Sequence, residues 1–112
     1  MKLSQTETLI APDKLRDYLL SPSHPEGRTK AAYLARLGYS QENWARLEED
    51  LRQQHLSHEA IPSRLSAYGR KYEILAPVTG PSGLTAWIRS IWIVRTQEDR
   101  ARLVTLVPED RP

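Results

Sequence analysis

The chain has 112 residues, with 16 Lys and Arg against 14 Asp and Glu, no cysteine and no phenylalanine. That length has room for one core and no second one, and 39% apolar with 27% charged residues marks a folded polymer, not a disordered one. Lack of cysteine excludes disulfide staples, thiolate nucleophiles and sulfur metal ligands. Apolar stretches such as Ile91 to Val94 are too short to span a bilayer, and Met1 to Ile10 lacks a signal-peptide run, so a cytoplasmic protein is expected.

The first element opens near Pro12-Asp13, where proline suits an opening helical turn and aspartate favours the positive helix end. Leu15, Tyr18 and Leu19 follow at i, i+3 and i+4, predicting a short amphipathic helix to about Leu20. Ser21 to Gly27, with two prolines and a glycine, is a constrained loop. A second helix is predicted over Lys30 to Leu37, with Tyr33, Leu34 and Leu37 on one stripe and Gly38 as its stop. Ser40 caps a third, in which Trp44, Leu47 and Leu51 form the seam while Glu48, Glu49 and Asp50 face solvent. That helix frays around Gln54 to His58.

From Ile61 the period becomes strand-like. A short strand between Ala60 and Ala67 is one option for that stretch. Arg70 to Ala76 alternates, with Tyr72, Ile74 and Ala76 on one side. Val78 to Gly83 has the glycine and proline chemistry of a hairpin connection. Thr85 to Arg95, dense in tryptophan and β-branched residues, is the longest strand, and Leu103 to Val107 the last. The expected architecture is α+β. About three N-terminal helices cover one face of a C-terminal antiparallel meander of three to four strands, all within a single domain over residues 1–112 with its core at about 12–108.

Charge is unevenly spread. Residues 1–60 hold eight Lys and Arg against nine Asp and Glu, whereas residues 61–112 hold eight against five, seven of those eight being arginine. Arginine suits bidentate contact with phosphate, and a basic face speeds encounter with nucleic acid. The plainer alternative is a solvated sheet face with scattered ion pairs.

No phosphate loop, nucleophile elbow or helical histidine pair with a carboxylate is present. His55 and His58 stand three apart but are expected to be exposed polar residues, so neither a metal nor a cofactor is expected. His24 lies in the constrained loop ahead of Arg28 and Lys30. It is either an acid or base flanked by phosphate-binding cations, or a loop histidine that caps and packs locally. Arg89 interrupts an apolar strand. If Val78 pairs with Leu84, then Glu73 lies opposite Arg89 in a cross-strand ion pair; a one-residue slip frees Arg89 for a ligand. Tyr68, Arg70, Lys71 and Tyr72 mix rings with cations as single-stranded RNA sites do, or simply begin a strand. Ser90 and Thr105 read as tolerated strand hydroxyls.

The spaced string Lys14-Leu15, Tyr18-Leu19-Leu20, His24-Pro25, Gly27-Arg28, Lys30-Ala31 and Leu37-Gly38 resembles the uncharacterised bacterial DUF6883 family, a domain of unknown function. The match continues through Asn43-Trp44, Leu47, Tyr68-Gly69, Lys71-Tyr72, Thr79-Gly80, Gly83, Arg89, Trp92-Ile93 and Leu103-Val104-Thr105. A mild departure lies at Ser90-Ile91-Trp92, where the family tends to have threonine before the late tryptophan pair of positions and this chain keeps a hydroxyl. Such domains occur alone and as C-terminal tips of large bacterial toxins, and the family looks like ribonuclease toxins of the barnase, EndoU, colicin and RelE type.

The resemblance therefore implies metal-independent RNA cleavage and nominates His24, Lys30, Lys71, Arg89 and Thr105 as the catalytic signature. Arg28, Tyr68, Arg70 and Tyr72 would contact substrate. A cognate antitoxin or immunity-type protein is the partner it implies besides RNA. The alternatives are a non-catalytic module that binds such a protein, and an RNA-binding domain that does not cleave. Convergence of His24, Lys30, Lys71 and Arg89 in one cleft favours catalysis; scatter, or an Arg89 locked to Glu73, favours binding.

Overall fold

The computed structural model describes residues 1–109. Helix α1 (Pro12–Lys14) runs on into a π-helical turn, Leu15–Leu19, and is followed by α2 (Arg28–Arg36) and α3 (Trp44–Gln54), the last entered through a 3₁₀ turn at Gln41–Asn43. Four strands follow: β1 (Ile61–Ser66), β2 (Gly69–Thr79), β3 (Thr85–Arg95) and β4 (Ala101–Pro108). They pair in sequence order as an antiparallel meander. Leu9 adds a short parallel bridge to Arg102 on the outer edge of β4. The option of a strand after Ala60 is thus realised as β1. Among the described residues no helix is long and apolar enough to cross a membrane.

Local chemistry accounts for these elements. Pro12 opens α1 where a missing N–H costs nothing. Gly38 follows α2 at φ +99°, a conformation that costs glycine least and turns the chain away from the helix. Ser40 and Asn43 form a reciprocal capping box ahead of α3. On the sheet, Ile74, Ala76, Val78, Ile88, Trp92, Leu103 and Leu106 point to one side and pack with Leu15, Leu19, Leu34, Leu47 and Leu51 of the helices. Trp92 and Tyr39 are the largest buried side chains, so aromatic bulk does anchor the core.

Three expectations need correction. Asp50, expected in solvent, is buried, because it accepts a hydrogen bond from the Tyr39 hydroxyl at 2.5 Å and pairs with Arg46 at 3.1 Å. Burial and the adjoining carboxylate push the Tyr39 phenol well above its usual range. His55, expected to be exposed, is fully buried, with Nδ1 2.7 Å from Ser90 Oγ and Nε2 3.0 Å from the Ala76 carbonyl. Ser90 is correspondingly a buried partner, also accepting from the Trp92 indole N–H at 2.8 Å.

The third correction concerns register. Thr79 pairs with Thr85 and Val78 with Ala86, so Glu73 stands opposite Ile91 and Leu75 opposite Arg89. The expected alignment was wrong by two residues. A two-residue slip preserves the face, and the Arg89–Glu73 ion pair still forms on the diagonal, at 2.8 Å.

Candidate functional site

The face of the sheet opposite the buried core carries Lys71, Glu73 and Leu75 of β2, matched with Ile93, Ile91 and Arg89 of β3. A bulge in β4 decides what joins them. Trp92 pairs with Leu103 but Ile91 pairs with Thr105, leaving Val104 as the extra residue. This changes the phase of the strand: Leu103 and Leu106 are both buried in the core, and Thr105 is turned to the opposite side.

At Thr105 three separate stretches of chain meet. Lys30 Nζ, from α2, donates to Thr105 Oγ1 at 2.6 Å and to the Tyr18 hydroxyl at 3.0 Å. Tyr18 and Thr105 hydroxyls stand 3.3 Å apart. Lys14 and Lys30 lie over the Tyr18 ring, their ammonium groups 5.3 and 5.4 Å from its centroid. The loop before α2 completes the cluster, with the His24 ring edge-on to Tyr18 at 5.0 Å between centroids. Partial burial tends to raise the Tyr18 phenol, but hydrogen bonds from Thr105 and Lys30 and the charges of Lys30 and Lys14 outweigh it, so its pKa lies below the ordinary tyrosine value.

His24 is held by the backbone. Its Nδ1 accepts from the amides of Glu26 and Gly27, each at 3.0 Å. That fixes the tautomer, so neutral His24 carries its proton on Nε2 and can donate there. Gly27 permits the approach: a Cβ at that position would sit 1.9 Å from the Tyr18 carbonyl oxygen. Gly27→Ala should force the loop off Tyr18 and lower stability by about 1–3 kcal/mol. Thermal unfolding of the two proteins measures this, and an unchanged midpoint would contradict the packing described.

Beyond Lys14 the same face opens into a groove of about 800 Å³. Lys71 lines it together with Arg64, Tyr68, Ile93, Arg95 and Arg102. Tyr68 is 80% exposed. The remaining nominated residues lie elsewhere. Arg89 is paired with Glu73 at 2.8 Å and Glu109 at 3.0 Å, both carboxylates raising its pKa, which matches the locked alternative. Arg70 and Tyr72 alternate with Lys71 and face the helices' side; Arg70 donates to the Ser63 carbonyl at 3.1 Å, and Tyr72 packs on the core. Arg28 borders a separate shallow pocket with Pro22, Ala32 and Gln41.

The structure thus gathers His24, Lys30 and Thr105, places Lys71 in the adjoining groove, and takes Arg89 up in ion pairs. Tyr18 was missed by the sequence reading, which assigned it to the apolar stripe of the first helix. The one available signal was its polar tip 12 residues before Lys30, and that spacing has no helical meaning across a loop. No group of three or more His, Asp or Glu side chains suited to a metal converges among the described residues.

A family model described as "Domain of unknown function (DUF6883)" matches residues 2–110. No curated protein matches the chain. Among solved structures, a chain of a contact-dependent growth inhibition toxin–immunity protein complex from Klebsiella pneumoniae 342 is similar to it, with a TM-score of 0.70 and 21% identity. That likeness covers 96% of this chain and 97% of the other, and at such identity it speaks for the fold.

Proposed function

The chain belongs to the DUF6883 family, and from that premise we propose that it is a metal-independent ribonuclease of bacterial toxin type. The observation that carries this reading is the joining of the Lys30 ammonium, the Tyr18 phenol and the Thr105 hydroxyl beside a basic groove. Likeness in fold to a chain of a toxin–immunity complex supports the toxin setting.

RNA supplies its own nucleophile, so the protein needs a proton acceptor, a proton donor and positive charge at the phosphorus. The 2′-oxygen forms a bond to the adjacent phosphorus while the bond from phosphorus to the 5′-oxygen breaks. The acidified Tyr18, as phenolate, takes the 2′-hydroxyl proton. The Lys30 ammonium returns a proton to the departing 5′-oxygen, and the neutral His24 donates a hydrogen bond from Nε2–H to a phosphate oxygen. Lys30 also faces the charge that builds on the phosphorane, and Thr105 holds the Lys30 and Tyr18 tips in place. The products are a 2′,3′-cyclic phosphate and a 5′-hydroxyl end. Lys71 serves substrate binding in this scheme, and Arg89 serves the sheet.

Inducible expression of the wild type beside Lys30→Ala in bacteria tests the reading. The wild type should arrest growth and leave RNA with cyclic phosphate ends, and the variant should do neither. Purified protein that leaves tRNA, mRNA and rRNA intact at high concentration would overturn it. A protein partner of immunity type belongs to the same proposal, prompted by the toxin–immunity complex that contains the similar chain. Co-expression of the neighbouring gene's product should then relieve the arrest.

A further inference from the structure

The groove beside Lys14 is predominantly basic. Its lining includes Lys14, Arg64, Lys71, Arg95 and Arg102, with Asp13 as the single carboxylate. Among the described residues, Arg102 is paired with Glu98, while Lys14, Arg64, Lys71 and Arg95 make no ion pair. At the β1–β2 turn Tyr68 offers an almost fully exposed ring. Ile93 and Val104 form the apolar floor.

We propose that this groove is a track for single-stranded RNA. The unpaired cations of β1, β2 and β3 follow the phosphates, Tyr68 stacks on a base, and Lys14 hands the strand to the Tyr18–Lys30–Thr105 cluster. The proposal rests on the ribonuclease reading for its direction, since Lys14 both lines the groove and lies over the Tyr18 ring. An acidic protein would satisfy the cations equally well. It would gain little from an isolated exposed ring flanked by cations, which is the combination that holds unpaired bases.

Binding is separated from cleavage by a labelled 2′-O-methyl oligouridine, whose blocked 2′-oxygen cannot attack. Fluorescence anisotropy over a salt series should show affinity falling with a log–log slope near about −3, as four cations each release about 0.7 of a counterion from a single strand. Arg64→Ala/Lys71→Ala/Arg95→Ala should weaken binding by about tenfold or more and flatten the slope below about −1 in size. Tyr68→Ala should weaken binding about tenfold with the slope unchanged. Circular dichroism shows whether each variant is folded.

A folded triple variant that binds like the wild type overturns the groove assignment, and so does one that cleaves unmodified RNA as well as the wild type does. Wild type that ignores the oligonucleotide but binds polyglutamate also overturns it, in favour of an acidic protein. If the oligonucleotide binds as described while unmodified RNA stays intact, the groove assignment stands and the ribonuclease reading fails.

Discussion

Tyr18→Phe should lower RNA cleavage on the order of 100-fold or more, the usual worth of a positioned acid or base, while leaving the fold intact. The substitution removes one oxygen and nothing else. The ring keeps its contacts with Lys14, Lys30 and His24, and Lys30 keeps Thr105 as its 2.6 Å partner. Loss of stability should therefore be small, near the ~1 kcal/mol of one net hydrogen bond. Phenolate as the proton acceptor also makes a pH signature. Cleavage should rise with pH through the Tyr18 pKa, which the Thr105 and Lys30 hydrogen bonds and the charges of Lys30 and Lys14 hold below the ordinary tyrosine value against the opposing pull of burial. Lys14→Gln removes one of those charges and should move the rising limb to higher pH. A purely structural tyrosine would leave the limb where it is, so a Lys14→Gln profile superimposed on the wild type removes Tyr18 from the acid–base role.

Acidification should destabilise the domain through His55. Burial, with a smaller contribution from nearby His58, depresses its pKa from 6.5 to about 4, despite the opposing bond to the Ala76 carbonyl. The ring is neutral in the native state, since Nδ1 faces the Ser90 hydroxyl and Nε2–H serves the Ala76 carbonyl. The unfolded chain binds a proton more readily than the native one, so the neutral His55 leaves stability intact above pH 6.5. Between pH 6.5 and about 4 the folded state loses free energy, by about 3 kcal/mol at the full shift. Urea unfolding at pH 7 and at pH 4.5 measures this. His55→Leu should start lower, by about 2–4 kcal/mol for the hydrogen bonds left unmade, yet show less of the acid decline. An equal decline in both proteins would assign the acid sensitivity to other groups.

The buried imidazole marks the limit of reading a chain one element at a time. Hydrophobic spacing in Leu15, Leu34, Leu47 and Leu51 finds the helices because each helix presents one stripe to whatever lies beneath it. Alternation in β2 and the density of β-branched residues in β3 find the strands for the same reason, and Gly38 and Ser40 mark helix ends by their own backbone chemistry. His55 follows the last turn of α3 between Gln54 and Leu56, and nothing in that stretch reveals that β2 and β3 supply its partners. Asp50 was assigned to solvent for the same reason, as its satisfying groups come in part from Tyr39, before the helix begins.

The candidate site divides along the same line. The order of helices and strands, the basic bias of the second half, and His24 and Lys30 as residues of interest were legible in the residues, while Thr105 was nominated by the family resemblance. That His24, Lys30 and Thr105 meet at Tyr18, that Arg89 is held by two carboxylates and that Lys71 looks into a groove emerges from the folded chain alone. The physical reason is phase. Strand side chains alternate with a period of two, so the single extra residue at Val104 turns Thr105 from the core to the opposite side, while a two-residue register error leaves Arg89 facing Glu73 all the same.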